Sequence, residues 1–193
     1  MKKLLITGFD PFGGQTMNPS WLAVSQLPDR VGEFAVHKRM IPTVFGKAAE
    51  AVLEAAAQVQ PDVILCVGQA GGREAVTPER IGVNIRDARI ADNAGNQPKG
   101  EFVASDGPAA YFATVPVEKM AQAIRDAGIP ATVSNSAGAF VCNDVLYSLL
   151  HHYAGTGIQV GFIHVPYIPE QGSPSMPLEK INRALMCAIS ACE

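Results

Sequence analysis

Cys142 stands where the stretch Ser134-Asn-Ser-Ala-Gly-Ala-Phe-Val-Cys142-Asn143 leaves a short β-type run, passes a small-residue turn and enters a helical pattern. That position puts the thiol in the first turn of a helix. Unpaired N–H groups and the positive end of the helix dipole favour an anion there, and the thiolate is the nucleophilic form of cysteine. The strand–turn–helix setting is like the nucleophile elbow of α/β hydrolases, although GxSxG itself is absent. Cys142 is thus the candidate nucleophile, set against a plainer reading as a small buried hydrophobe four residues before Leu146. Cys66 lies inside the apolar run Val63–Val67, and Cys187 and Cys192 ride the last helical stretch; these three read as structural.

A cysteine nucleophile needs a base, usually histidine. His37 sits in a charged stretch, and His151 and His152 close a helix, where they complement its dipole. His164 ends the apolar run Val160–Val165 just before Pro166, at the carboxyl end of a strand, where open α/β folds gather their ligands. A third group, carboxylate or amide, must fix the imidazole tautomer. Glu79, in Thr77-Pro-Glu-Arg80, is a candidate, and Asp87, Asp92 and Asp106 compete with it. Periodicity does not choose among them. The glycine segments Gly13-Gly14 and Gly68-Gln-Ala-Gly-Gly match neither nucleotide-binding fingerprint, and no HExxH or paired Cys/His spacing occurs, so neither a cofactor nor a metal is expected.

Positioning such residues calls for alternating strands and helices. Lys3–Thr7 reads as a buried strand, Asn18-Pro-Ser starts a helix over Trp21–Leu27, and Glu33–Ile41 is a second strand. Thr43 is expected to cap an amphipathic helix running to about Val59. Asp62–Val67 is a parallel-type strand followed by a loop, Arg80–Ile90 is β-like, and Ala91–Pro108 is a long excursion rich in Asn, Gly, Pro and Asp. Pro116 opens a helix that ends at Gly128, Ala131–Ser134 returns as a strand, and helix Val141–Tyr153, strand Gln159–Val165 and helix Pro177–Ala191 complete the chain. The pattern predicts a single-domain three-layer α/β/α sandwich over residues 1–193, with a mostly parallel, twisted central sheet.

Composition agrees with a globular domain: 193 residues, 48% apolar and 17% charged. Fifteen Lys and Arg against 18 Asp and Glu, with no basic cluster, give no footprint for nucleic acid or acidic lipid. The start Met1-Lys-Lys-Leu-Leu-Ile breaks at Thr7-Gly8, short of a signal peptide, and no run approaches a membrane span. Four cysteines without a CxxC pair fit a reducing cytoplasm.

Taken together, Thr7-Gly-Phe-Asp-Pro-Phe-Gly-Gly14, Asn18-Pro-Ser20, Gly68-Gln-Ala-Gly-Gly-Arg73, Thr77-Pro-Glu-Arg80, Asp87-Ala-Arg89, Ser105-Asp-Gly-Pro-Ala-Ala-Tyr-Phe112, Phe140-Val-Cys-Asn143 and Phe162-Ile-His-Val-Pro166 closely resemble the pyroglutamyl-peptidase I family, also called pyrrolidone carboxyl peptidases. Eight motifs in register cover nearly the whole chain. The resemblance implies a cysteine exopeptidase that removes N-terminal pyroglutamate from peptides and proteins through a thioacyl-enzyme, with a triad falling on Cys142, His164 and Glu79. It implies Arg89 and the Cys142 backbone N–H as oxyanion stabilisers. Phe12 and Phe140 resemble the walls of a lactam pocket, with Phe9 and Val141 nearby, and Asn18 and Gln69 resemble the groups that hydrogen-bond the ring amide. A cytoplasmic homotetramer with no cofactor is implied as well. Many relatives carry histidine two positions after the nucleophile, whereas this chain has Asp144; the departure leaves the triad intact and bears on the tuning of the site. Two other readings stay open: a nucleoside phosphorylase-like enzyme, which would need phosphate for turnover, and a catalytically dead module that binds pyroglutamyl peptides.

Overall fold

Three apolar runs form the centre of the molecule because each is buried on both faces, which only a covered parallel sheet allows. In the computed structural model, which describes residues 1–193, these are β1 (Lys2–Phe9), β4 (Val63–Gln69) and β8 (Gln159–Val165). β3 (Phe34–Ile41) pairs parallel with β1, β1 with β4, and β4 with β8. Two short strands close the edges antiparallel: β2 (Arg30–Val31) on β3, and β5 (Thr77–Pro78) on β8. The order is β2-β3-β1-β4-β8-β5, and a separate ribbon pairs β6 (Ile81–Val83) with β7 (Ala110–Phe112).

Side chains alternate between the two faces with the strand period of two. Leu4, Ile6, Val63, Leu65, Val67, Ile163 and Val165 face one core, shared with helices α1 (Pro19–Gln26), α3 (Val117–Asp126) and α5 (Leu178–Ser190). Leu5, Phe9, Ile64, Cys66, Val160 and Phe162 face the other, shared with α2 (Lys47–Val59) and α4 (Val141–His152). Three layers result, as the sequence pattern predicts, and no helix is long and apolar enough to cross a membrane.

Local signals account for most boundaries. Asn18 caps α1 by accepting from the Ser20 N–H at 3.0 Å, with Pro19 at the first helical position. Thr43, expected to cap α2, does not. Its N–H and hydroxyl both donate to the Asp10 carboxylate at 2.7 Å, and the helix begins only at Lys47, after Gly46 in a left-handed conformation (φ 72°). Two expected strands also shrink: only Ile81–Val83 of Arg80–Ile90 is a strand, and Ala131–Ser134 makes only isolated bridges, Val76 to Ala131 and Glu79 to Ser134. Beyond Val83 the first segment bonds to loops, Arg86 to Glu101 and the Asp87 N–H to Ala139. The second runs beside the two-residue β5, the Thr132 N–H donating to the Val76 carbonyl at 3.2 Å and the Ser134 N–H to the Pro78 carbonyl at 2.9 Å, too brief a pairing to make a strand. The excursion 91–108 is loop, as expected, but the loop is fastened: Asp92 accepts from the Ala94 and Asn96 N–H groups within it and from the Phe45 N–H outside it.

α1 lies so close to β1 that a Cβ on Gly8 would stand 2.6 Å from the backbone of Trp21. Backbone cannot give way as a flexible side chain can. Gly8→Ala should therefore lower stability by about 2–3 kcal/mol in urea unfolding, the upper part of the overpacking range; an unchanged midpoint would show that the two elements are not locked together.

Candidate active site

Strand register brings the reactive residues to one end of the sheet. His164 is the penultimate residue of β8 and stands opposite Gly68 of β4 and Thr77 of β5. Glu79 follows β5 directly, its N–H donating to the Phe162 carbonyl at 2.9 Å. The antiparallel turn of β5 onto β8 thus delivers a carboxylate to the imidazole across 85 residues of sequence, and His164 Nδ1 lies 2.7 Å from Glu79 Oε1. With Nδ1 engaged by a carboxylate, Nδ1–H is the assigned tautomer, and Nε2 is left as the basic nitrogen.

Cys142, at the second position of α4, reaches the same place from the helix layer. Gly68 makes room for it: a Cβ there would lie 2.9 Å from Cys142 Sγ. Since Gly68 is also the register neighbour of His164, thiol and imidazole share one corner of the sheet. Both line a cavity of about 480 Å³ with Phe12, Gln69, Asp87, Arg89, Ile90 and Phe140. The Cys142 N–H, in the first turn of α4, has no intrahelical acceptor.

The electrostatics centre on Glu79, which has no exposed surface. Burial alone would raise its carboxyl, but the hydrogen bond and charge of His164, with contributions from Ser134 and Arg73, outweigh this and hold it below the ordinary carboxylate value. Arg73 donates from one guanidinium nitrogen to Glu79 Oε1 at 2.7 Å and to the Thr77 hydroxyl at 2.6 Å, and from the other to the Ser136 carbonyl at 3.2 Å. Arg73 is the site residue to which sequence reasoning gave no role. The available signal was its place at the end of the glycine loop, six residues before Glu79.

Burial pushes His164 down from 6.5; the Glu79 hydrogen bond and charge raise it without cancelling this, and Arg73 lowers it further. Burial pushes the Cys142 thiol up to about 12, and Glu79 and Cys66 act in the same direction, while Arg73 and the residue's own N–H oppose them. Both directions run against the expectation that the helix start holds a resting thiolate: desolvation beside a buried carboxylate favours a neutral thiol, and burial favours a neutral imidazole next to it.

The other candidates fall in distinct places. Asp87 is a half-exposed carboxylate at the cavity, 3.9 Å from Lys99 Nζ; Asp92 fastens its loop; Asp106 pairs on the surface with His151 at 3.4 Å. His37 and His152 are exposed. Arg89 is exposed at the cavity, and its guanidinium makes no hydrogen bond or ion pair within the protein. Its loop is held down by Asn143, which accepts from the Val83 N–H and donates to the Val83 and Ile85 carbonyls, and by the Asp87 N–H bond to Ala139.

Phe12 and Phe140 face each other with ring centroids 6.2 Å apart. Phe9 and Val141 lie behind the wall, 2% and 0% exposed, Phe9 against Phe162. Gln69 Oε1 accepts from Gln171 at 2.9 Å, which leaves its NH₂ free. Asn18 is buried and mostly committed: its oxygen accepts from Ser20 and its nitrogen donates to the Asp10 carbonyl, leaving a single N–H. Asp144, the departure from the usual histidine, is fully buried and bonded to Arg86 Nε at 2.6 Å and to the Gly46 N–H at 2.8 Å.

The chain matches the family model described as pyroglutamyl peptidase over residues 2–193. It is 50% identical to a pyrrolidone-carboxylate peptidase of Staphylococcus saprophyticus, covering 98% of this chain and 92% of that one. The crystal structure of Bacillus amyloliquefaciens pyroglutamyl peptidase I superposes with a TM-score of 0.96 at 47% identity, covering 100% and 97% of the two chains. Pyrrolidone carboxyl peptidase from Thermococcus litoralis gives 0.95 at 39% identity, covering 100% and 93%.

With the thiol protonated at rest, labelling of Cys142 by iodoacetamide in the unliganded protein should quicken steadily from about pH 7 to pH 9, because the thiolate is the reacting form. A rate already level below about pH 7 would reveal a resting thiolate and contradict the neutral pair.

Proposed function

The chain belongs to the pyroglutamyl peptidase family, cysteine-type omega peptidases that remove N-terminal pyroglutamate, and on that premise we propose that Cys142 is its nucleophile, His164 its acid–base and Glu79 the group that orients His164. The observation that supports this most is the meeting, at one aromatic-walled cavity, of a partly buried thiol and an imidazole whose Nδ1 is held 2.7 Å from a buried carboxylate.

From the neutral pair, His164 Nε2 takes the thiol proton as Sγ attacks the carbonyl carbon of the pyroglutamyl bond. The carbonyl oxygen becomes an oxyanion, met by the free Cys142 N–H and the unpartnered Arg89 guanidinium. His164 then protonates the leaving amine, the C–N bond breaks and a thioester remains. Water, deprotonated by His164, attacks the thioester carbon, and pyroglutamate leaves as the thiol regains its proton. Glu79 stays ionised throughout and stabilises each imidazolium. Arg73 supports this by keeping Glu79 charged.

Pyroglutamate suits the cavity because cyclisation has removed the ammonium charge, so aromatic walls need supply no counter-ion. The lactam N–H and C=O can be met by the few polar groups near the walls, among them the free NH₂ of Gln69. We extend the reading to one catalytic domain over residues 1–193 acting on peptides as a cytoplasmic homotetramer, to which exposed Phe102 and Phe112 offer apolar surface.

Two measurements test the reading. The protein should release naphthylamine from pyroglutamyl-naphthylamide without added metal or phosphate, and Cys142→Ser and His164→Ala should each remove nearly all of this activity while remaining folded. It should prefer that substrate to prolyl-naphthylamide by on the order of 10⁴-fold in kcat/KM, because proline lacks the carbonyl and brings a cation. Comparable rates for the two would refute the lactam pocket, and a fully active Cys142→Ser would refute the nucleophile.

In the free enzyme the active form pairs a neutral thiol with a neutral imidazole, so kcat/KM should fall on the acid side only below 6.5, as His164 takes up a proton at its lowered pKa. An acid limb above that value would contradict the downward shift of His164.

A further inference from the structure

The two aromatic walls are mounted differently. Phe12 is half-buried in an otherwise exposed turn with Gly13 and Gly14, both at positive φ, where a Cβ on either glycine would meet no atom within 4 Å and the one side chain donating to the turn is Asn93, to the Pro11 carbonyl at 2.9 Å. Phe140, just before α4, has Phe45 behind it, edge to face, with ring centroids 5.3 Å apart and an interplanar angle of 87°. Phe45 is not part of the cavity lining; it borders a separate depression with Arg86, Asn96 and Gln97, and so meets Phe140 from outside the cavity.

Two buried carboxylates hold Phe45 in that place through the backbone. The Phe45 N–H donates to Asp92 Oδ2 at 2.9 Å, and the next N–H, of Gly46, donates to Asp144 Oδ2 at 2.8 Å. Each acceptor is itself fixed. Asp92 receives the Ala94 and Asn96 N–H groups, and Asp144 is paired with Arg86 Nε. Asp144 lies two residues after Cys142 on α4, so the brace and the candidate nucleophile share one rigid element. Gly46 at φ 72° turns the chain so that consecutive N–H groups reach different carboxylates, a conformation that L side chains rarely adopt.

We propose that Phe45, clamped through its backbone by Asp92 and Asp144, is a specificity-positioning residue that makes Phe140 the fixed wall of the pyroglutamyl pocket and leaves Phe12 as the wall that adjusts. This rests on the lactam-pocket reading above. The physical reason is preorganisation. A flat ring stacked between two aromatic faces needs about 3.5 Å on each side, whereas the Phe12 and Phe140 centroids are 6.2 Å apart and the rings are tilted by 37°. One wall must therefore yield when the ring enters, and the ordering cost is smaller if the other is already fixed. Asp144 thereby has a task in this chain that does not require it to touch the thiol.

The test is a split between KM and kcat for pyroglutamyl-naphthylamide, with free pyroglutamate as a competitive inhibitor. An edge-to-face pair accounts for a few-fold to about tenfold in equilibrium terms. Phe45→Ala should accordingly raise KM and the inhibition constant of pyroglutamate about 3- to 10-fold, with kcat and iodoacetamide labelling of Cys142 within about twofold of wild type. Phe45→Tyr, which keeps the ring edge, should restore both constants. If Phe45→Ala does not fold, Phe45→Leu decides: it keeps apolar bulk without the aromatic edge, and a threefold rise in KM supports the proposal. Unchanged KM and inhibition constant in the folded variant, or a fall in kcat alone, would overturn it. Failure of the underlying reading looks different, since wild type itself would then not cleave the substrate or bind pyroglutamate.

Discussion

A carboxylate with no exposed surface, as at Glu79, is tolerated only if donors replace the water it has lost. Here two donors converge on the same oxygen: His164 Nδ1 and an Arg73 nitrogen, each 2.7 Å from Oε1. The rest of the site depends on that meeting. It keeps Glu79 ionised, fixes the imidazole by one nitrogen and leaves the other, the proposed proton carrier, without a protein partner, and it does so at the carboxyl end of the strand that Gly68 and Cys142 also face. Removing one partner would leave a buried charge unmatched, which typically costs about 3–5 kcal/mol. Orientation and stability are therefore coupled at this point, and substitution of Arg73 bears on His164 without any contact between them.

The same logic recurs farther from the chemistry. Buried or partly buried carboxylates accept backbone N–H groups at three places around the cavity: Asp10 from Thr43, Asp92 from Phe45, Ala94 and Asn96, and Asp144 from Gly46. Loops cannot satisfy one another as strands do, and a side-chain acceptor that serves two segments ties them together at the cost of one buried charge. Asn143 does likewise for the segment before Arg89 with an uncharged amide.

Much of this frame was legible in the sequence. The continuous apolar runs give the parallel strands, and Pro166 marks the carboxyl end that makes His164 stand out from His37, His151 and His152. The turn before Val141 places Cys142 at a helix start. The choice of Glu79 over Asp87, Asp92 and Asp106 was not legible from pattern, because it depends on β5 folding back on β8, a two-residue strand with no periodicity to read. Thr43 misled for a related reason: a threonine before an amphipathic run is a capping signal, but Asp10, more than thirty residues earlier, takes both of its donors. The state of the thiol was hidden as well. A helix start is visible in sequence, whereas the burial and the neighbouring Glu79 that act against a thiolate exist only in the fold.

The central claim is that Glu79 holds a neutral His164 by Nδ1–H with Nε2 free. Nitrogen NMR of the protein labelled at histidine reads this directly, because protonated and unprotonated ring nitrogens resonate far apart. At neutral pH the account predicts that the His164 ring shows one protonated nitrogen, Nδ1, and one unprotonated, Nε2, and that the Nδ1 proton signal shifts in Glu79→Gln. Two protonated nitrogens at neutral pH, or the opposite tautomer, would contradict it.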